Sequence, residues 1–498
     1  MVDTQAPLGK KAAFGTAVFT IAQVVGQSIM TVRIIALAAV LPLHELGLFG
    51  VAAVVIQLTE QLSETGMRQA LIQRSGEISD YVSTAWISQM SRGVFLGAIV
   101  YFAAGPAEQF FDKVGVQPLL QTLALLPVIQ GITNLGIVHL HRELRFEKVV
   151  LLKLSFSVVD LVVSFILAIV MKSAMALVIA RLIAAVVSVA MSFLLERRWP
   201  KVHFSIARFK ALSKFGFWIF ATSVLSFILI SGGDLVVAKM LPASDLAIYR
   251  IASGIACFPL MRAIHAVSST TYSTFSRIQN DKDRLSNAFL RVLALASFVA
   301  WFAIAGYFCL SVPFVDLFFK ADLKPVAYLL TPLAVWGGCR ALGAINSVLF
   351  QSIGKPAYAT IFQFVMVILF AIAVVPAIAR FGLMGLACSL ATVGVIAQLG
   401  RYTLTVSTLG CSASDIAQRL LLPMIISALA IVVTAYSLSY LPSDASTLHM
   451  VLGVLLLSTT YGFCAWFIDT RFQFGISKFA KSLVPQRFVR QESLSGGP

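Results

Sequence analysis

The chain has 498 residues, of which 59% are hydrophobic and only 12% are charged. A soluble protein of this length would carry about a quarter charged residues, so the composition excludes a soluble globular enzyme and indicates an integral membrane protein. The net charge of +16 would suit a nucleic-acid partner, but the placement of the cations along the chain explains it without one.

Fourteen apolar runs are long enough to cross a membrane as helices, for which about 20 mostly apolar residues are needed. Charged residues or Pro and Gly separate the runs, and the tightest separation is "MKSAM" at 171–175. The predicted spans are 13–40, 46–66, 83–104, 118–140, 150–171, 174–195, 216–240, 246–272, 287–312, 325–351, 357–379, 383–405, 419–441 and 448–469. We therefore expect an all-α polytopic membrane protein with about 14 transmembrane helices.

Lysine and arginine are distributed unequally between the two sides of these spans. Twenty-four lie on the side that holds both termini and six on the opposite side, the others being inside spans. Cytoplasmic connections carry the excess of cations in membrane proteins. The bias predicts that both termini are cytoplasmic, and it accounts for the net charge.

A twelve-residue motif occurs twice, about two hundred residues apart. "LPLHELGLFGVA" at 41–52 and "LPASDLAIYRIA" at 241–252 share four identical positions, and each would form the external turn after a span. Six spans repeated in the same orientation indicate two bundles related by an axis along the membrane normal. The predicted organisation is an N-terminal lobe (1–196), a basic amphipathic cytoplasmic linker (197–215), a C-terminal lobe (216–405), two extra spans (406–470) and a basic cytoplasmic tail (471–498).

The common motifs of enzymes are absent from the sequence. It contains no Walker-type glycine loop, no GxSxG and no HExxH. Its six cysteines lie in or beside apolar runs without the spacing of metal ligands. We therefore expect no catalysis, no cofactor and no metal, and no ATP hydrolysis by this chain.

Two stretches in the first 150 residues resemble a known family. "LPLHELGLFGVAAVVIQLTEQLSETGMRQALIQR" at 41–74 is similar to the first-hairpin signature of bacterial polysaccharide transporters, the Wzx-type oligosaccharide flippases. "HLHRELRFEKV" at 139–149 is similar to the next cytoplasmic signature of that family. The broader relatives of the family are the lipid II flippases and the multidrug and toxin (MATE) exporters.

The resemblance implies a transporter of the bacterial inner membrane that works by alternating access. Its substrate would be an undecaprenyl-pyrophosphate-linked oligosaccharide, flipped from the cytoplasmic to the periplasmic face for exopolysaccharide, capsule or O-antigen synthesis. The polymerase and co-polymerase of the pathway are then candidate partners, besides the substrate and the membrane lipids. A monomer is expected, and proton or sodium coupling is a candidate source of energy.

Such a substrate has an anionic head, and eight arginines lie inside predicted spans. Ionisable groups within spans usually face a cavity or a partner, and the planar fork of arginine suits a phosphate. Near the cytoplasmic ends of their spans, Arg92, Arg291 and Arg401 are expected to reach the interface. Arg33, Arg262 and Arg340 are the predicted head-group ligands, with structural pairing as the alternative role.

Two residues are candidates for the coupling of transport to an ion. Asp160, in the middle of the fifth span, is the candidate for a protonatable group, and its alternative role is to neutralise a neighbouring arginine. His265 lies three residues after Arg262 on nearly the same helix face, and its alternative is a buried, hydrogen-bonded histidine.

The repeat also suggests a gate. Arg33 and Asp234 lie about 12 Å inward from the two copies of the external turn, given a rise of about 1.5 Å per residue. We expect them to form an ion pair between the lobes that closes the periplasmic side. A separate pair within the lobe for each residue is the alternative.

Two other functions fit a polytopic chain. A MATE-like exporter of amphipathic cations should have more acids than arginines inside its spans, whereas here arginines are in excess. A membrane-embedded glycan polymerase or ligase should carry a long external loop with catalytic residues, and no predicted external connection is that long.

Overall fold

The structure is a computed structural model, which describes residues 25–26, 28–62, 71, 79–142, 145–199, 203–257, 260, 271–272, 274–440 and 446–472. These residues form helices joined by turns, and nine of the described helices are long and apolar enough to cross a membrane. The predicted all-α polytopic class is therefore confirmed. The number of fourteen spans stays a prediction.

The described helices are numbered α1 to α15 in chain order. Their bounds are α1 Ser28–Val40, α2 Leu43–Leu62, α3 Ser79–Phe111, α4 Val116–Leu123, α5 Leu125–Gly131, α6 Ile137–Arg142, α7 Phe146–Met171, α8 Ala174–Leu195, α9 Ile206–Met240, α10 Ala243–Ala256, α11 Lys282–Phe318, α12 Pro325–Ser352, α13 Pro356–Leu409, α14 Ala413–Leu438 and α15 Ser446–Phe472.

The turn between α7 and α8 is as short as the sequence predicts. Lys172 adopts a left-handed conformation with φ of 48°, which ends α7 and reverses the chain. The Ser173 side chain then accepts a hydrogen bond from the backbone N–H of Met175 at 3.3 Å and caps α8. Two residues are therefore enough to join two antiparallel helices that pack along their length.

The predicted span at 118–140 is wrong as a single helix, because the structure divides it into α4, α5 and α6. Asn134 fastens the break between α5 and α6. Its amide donates to the Glu196 carbonyl at 2.9 Å, and its side-chain oxygen accepts from the Gly136 N–H at 2.8 Å. Hydropathy does not reveal this break, since a side chain and not a change in polarity satisfies the freed backbone groups.

Two glycines of α3 bring it against the broken helix. A Cβ at Gly97 would lie 2.7 Å from the Ala124 carbonyl oxygen, and one at Gly93 would overlap the Pro127 carbonyl oxygen. The spacing is the small-xxx-small pattern that allows backbones to approach in membranes. The contact fixes α5 beside the middle of α3.

Two further helices each cover two predicted elements. α9 begins at Ile206, so the end of the predicted linker at 197–215 continues into the seventh predicted span without a break. α13 contains a break at Gly382, with φ of 58° and ψ of −142°, between the spans predicted at 357–379 and 383–405. Glycine is required there because other residues rarely adopt this conformation.

The chain divides into two compact units. The first unit comprises Met1–Ile255 and Gln363–Ser389, and the second comprises Ala256–Phe362 and Leu390–Pro498. Within the first, Leu37 and Leu41 pack with Ala168 and Leu177. Within the second, α11 packs against α12, α14 and α15. The boundary between the units lies at Ile255 and not in the predicted linker. The predicted lobe boundaries, which rest on the sequence repeat, stay a prediction.

Candidate functional site

A buried cluster of charges joins three helices of the first unit. On α7, Asp160 is completely buried, and its carboxylate lies 3.0 Å from Nε of Arg33 on α1 and 3.7 Å from Nη1 of Arg181 on α8. The Arg33 Nε also donates to the Ser164 hydroxyl at 3.2 Å. Arg33 is only 7% exposed. The structure therefore gives Asp160 the alternative role stated above, neutralising neighbouring arginines, and its role in coupling stays a prediction.

Asp234 is paired with a different arginine. The Asp234 carboxylate lies 3.9 Å from Nη1 of Arg250, which also donates to the Gly50 carbonyl at 2.9 Å. The predicted Arg33–Asp234 pair is therefore not formed in this structure, since each residue has another partner within the first unit. The two observed pairs are of the kind given above as the alternative, a separate pair for each residue.

The two copies of the repeated motif contact each other in the first unit. A Cβ at Gly47 would overlap the carbonyl oxygen of Ala243, and one at Gly50 would lie 3.1 Å from the Leu246 side chain. Gly50 and Arg250 occupy matching positions of the two copies. The arginine that only the second copy contains therefore binds the backbone at the matching position of the first.

Two adjoining polar cavities lie in the first unit, and they share Glu60 of α2, Arg92 of α3 and Gln130 of α5. One has a volume of about 290 Å³ and is lined by the break that follows α5. The other has a volume of about 390 Å³ and extends to α9. Non-helical backbone is tolerated in membrane proteins where it is buried in protein or lines a cavity, and the break after α5 lines the first cavity.

Amide side chains are concentrated in these cavities. The second cavity is lined by Gln57, Gln61 and Gln130, and the first by Gln89 and Gln130. Charge and hydropathy patterns do not identify these residues as ligands, because glutamine carries no charge. Gln57 and Gln61 are one helical turn apart in an apolar run, and this spacing is the signal by which they could have been found.

The other predicted head-group ligands have different surroundings. Arg340, in the second unit, is partly buried and its guanidinium lies 5.8 Å from the ring centroid of Trp336. Arg262 and the coupling candidate His265 lie outside the described residues. In the described structure Arg33 and Arg340 therefore belong to different units, and the site that would unite them with Arg262 stays a prediction.

The arginines expected at the interface differ from one another. Arg92 is partly buried and lines both cavities. Arg291 is exposed, as predicted. Arg401 is only 7% exposed and donates to Gln398 at 3.1 Å, so the expectation that it reaches the interface is wrong. A glutamine one turn away provides a hydrogen-bond partner inside the second unit, which hydropathy does not show.

Comparisons with known proteins agree with this architecture. Residues 36–327 match the family described as "Polysaccharide biosynthesis protein". The "Lipopolysaccharide biosynthesis protein WzxC" of Escherichia coli (strain K12) is 24% identical over 68% of this chain and 69% of its own. The "Succinoglycan biosynthesis transport protein ExoT" of Rhizobium meliloti (strain 1021) is 23% identical over 53% of each chain.

A solved structure shares the fold. The lipid II flippase MurJ in an inward closed conformation superimposes with a TM-score of 0.76 and 16% identity, over 91% of this chain and 99% of that chain. This likeness shows the fold, and the family match covers more than half of the sequence. The resemblance seen in the two sequence stretches is thereby confirmed, and the chain belongs to the polysaccharide biosynthesis protein family.

Proposed function

We propose that this chain flips an undecaprenyl-pyrophosphate-linked oligosaccharide repeat unit from the cytoplasmic to the periplasmic face of the inner membrane. It acts by alternating access and breaks no chemical bond. Its product supplies exopolysaccharide, capsule or O-antigen synthesis. It functions as a monomer, and the polymerase and co-polymerase of the same pathway receive the product.

The observation that carries this proposal is the polar, amide- and arginine-lined interior of the first unit. A lipid-linked oligosaccharide presents a glycan rich in hydroxyl groups and an anionic pyrophosphate, which need hydrogen-bonding groups and cations away from the lipid. The cavities provide four glutamines and Arg92 for these purposes. Membership of a polysaccharide biosynthesis family and the names of the relatives support a substrate of this chemistry.

The charges of the first unit also argue against export of a cation. Arg181 and Arg250 both lie close enough to Arg33 to repel it, and two aspartates, Asp160 and Asp234, are paired with these three arginines. This cluster has an excess of positive charge, which repels a cationic drug. A polymerase or ligase is not favoured either, since the described turns between α7 and α8 and between α9 and α10 are only two residues long.

Deletion of the gene tests the proposal. We expect the polymer to be lost and lipid-linked repeat units to accumulate, and these should be labelled by a glycan-modifying reagent in inverted vesicles but not in intact spheroplasts. A deletion of the polymerase is the matched control, because it should leave the units on the periplasmic face. Adding a protonophore or removing sodium would show which gradient drives transport. If the reagent labels lipid-linked repeat units on intact spheroplasts of the strain that lacks this gene, the proposed function is excluded.

A further inference from the structure

The cavity between α2, α3, α5 and α9 has a composition that the charge pattern alone does not explain. It has a volume of about 390 Å³, within the range of about 300–1,000 Å³ of small-molecule sites. Gln57, Gln61 and Gln130 line it together with Glu60 and Arg92. Uncharged hydrogen-bonding groups thus make up the largest share of its polar wall.

A glutamine beside this cavity, Gln89, has a structural role and can be compared with the glutamines in the cavity wall. The Nε2 of Gln89 donates to the carbonyls of Gln130, Gly131 and Thr133 at 3.1–3.4 Å. It thereby satisfies the backbone where α5 ends. The backbone that this glutamine holds in place is part of the first cavity's wall.

Gln57, Gln61 and Gln130 have no such role. Within the part of the chain that the structure describes, their side chains make no hydrogen bond to protein, and those of Gln57 and Gln130 are exposed at the cavity wall. A polar side chain in a membrane helix is costly unless it has a partner, so three amides open to one cavity need a ligand or water there.

The chemistry of the amide group indicates the ligand. Each glutamine offers two N–H donors and one carbonyl acceptor on a planar group. A sugar carries neighbouring hydroxyls that both donate and accept, so one amide can bind two of them. Amides also avoid the desolvation cost of extra charges, and Arg92 on the same wall provides a cation for a phosphate next to the sugar.

We infer that Gln57, Gln61 and Gln130 form a subsite that binds the uncharged sugar residues nearest the pyrophosphate of the lipid-linked substrate. This inference rests on the proposed function and assigns the glycan to this cavity of the first unit. The subsite recognises hydroxyl groups, and the lipid tail contributes nothing to it.

A binding measurement on the purified full-length protein in nanodiscs tests the subsite. The two probes are undecaprenyl pyrophosphate alone and undecaprenyl pyrophosphate carrying the repeat unit, extracted from a strain that lacks the gene. We expect the wild type to bind the glycan-bearing lipid about tenfold or more tightly, as a few net hydrogen bonds would give. In the Gln57→Leu/Gln130→Leu double variant this ratio should fall to about one, while the affinity for the glycan-free lipid stays unchanged.

Two control variants distinguish a wrong subsite from a misfolded protein. Gln109→Leu replaces an exposed glutamine near the end of α3, outside both cavities, and should keep the wild-type ratio. The conservative Gln130→Asn variant, which keeps an amide, should lose less of the ratio than Gln130→Leu and protects the test against a misfolded double variant. If the wild type discriminates and the double variant does so equally, the subsite is wrong and the proposed function stands. If the wild type binds neither lipid, both are wrong.

Discussion

The Asp160 carboxylate is fully buried between two arginines, so separating these charges should cost much of the stability of the first unit. We predict that Asp160→Asn lowers the unfolding free energy by about 3–5 kcal/mol, since it leaves the buried Arg33 without a counter-charge. Thermal unfolding of the purified variant measures this loss. Ser164→Ala is the control, because it removes one hydrogen bond to Arg33, worth about 1 kcal/mol.

A combined substitution then separates a structural role of Asp160 from a role in ion coupling. Asp160→Asn together with Arg33→Gln removes both charges of the closer pair and should recover part of the lost stability, because the buried Arg33 charge is no longer unmatched and Arg181 is partly exposed. If Asp160→Asn has the unfolding free energy of the wild type but loses transport, the structural role is wrong and a role in coupling transport to an ion is favoured.

Single residues also show where the sequence was informative. It identified Arg33, Asp160 and Asp234 as functional or structural charges within spans, and the structure pairs all three. Of the two arrangements that the sequence left open, the structure has a separate pair for each residue. The sequence did not indicate Arg250, whose guanidinium reaches both Asp234 and the Gly50 carbonyl. Partner choice depends on side-chain reach in three dimensions, which a linear alignment does not contain. The cavity glutamines were missed because they carry no charge.

Helix boundaries were predicted well wherever backbone chemistry marks them. Ser173 and Gly382 lie at a cap and at a break that the sequence placed within a few residues. The break after α5 was missed, because the freed Asn134 N–H donates to the Ser192 hydroxyl of α8. A local pattern shows where a helix can end, but not where a distant side chain makes a break inexpensive.

The close approach of α2 and α10 gives a prediction at the scale of elements. Gly47→Ala should lower the thermal unfolding midpoint strongly, because the new Cβ overlaps the Ala243 backbone. Gly50→Ala should have a smaller effect, since the nearest atom is a Leu246 side-chain carbon at 3.1 Å. Gly462→Ala has nothing within 4 Å of its Cβ and should be neutral or stabilising by up to about 1 kcal/mol.

The order of these three midpoints is the readout. A midpoint for Gly47→Ala at or above that of Gly462→Ala would mean that the repeated motifs do not depend on this contact. All three substitutions are the same chemical change within a helix, so helix propensity cancels from the comparison. What remains is the space available at each glycine.

For the whole molecule, hydropathy predicted the all-α polytopic class but not the division into two compact units. The all-α polytopic fold follows from composition alone, since apolar runs of this length leave no other option in a membrane. The first unit, however, takes residues Gln363–Ser389 from the middle of α13. A segment contributed from a distance leaves no mark on local periodicity, so the sequence repeat could not show it.

The orientation in the membrane is the remaining property that the sequence predicts for the whole chain. Twenty-four cations on one side against six on the other predict cytoplasmic termini. Two reporter fusions, placed before and after α12, check this orientation. Alkaline phosphatase fused after Lys320 should be active outside, and the same enzyme fused after Lys355 should be inactive. A fluorescent protein at the C-terminus should fluoresce inside. The reverse pattern would place the cation-rich side in the periplasm, and the proposed direction of flipping would then be wrong together with the orientation.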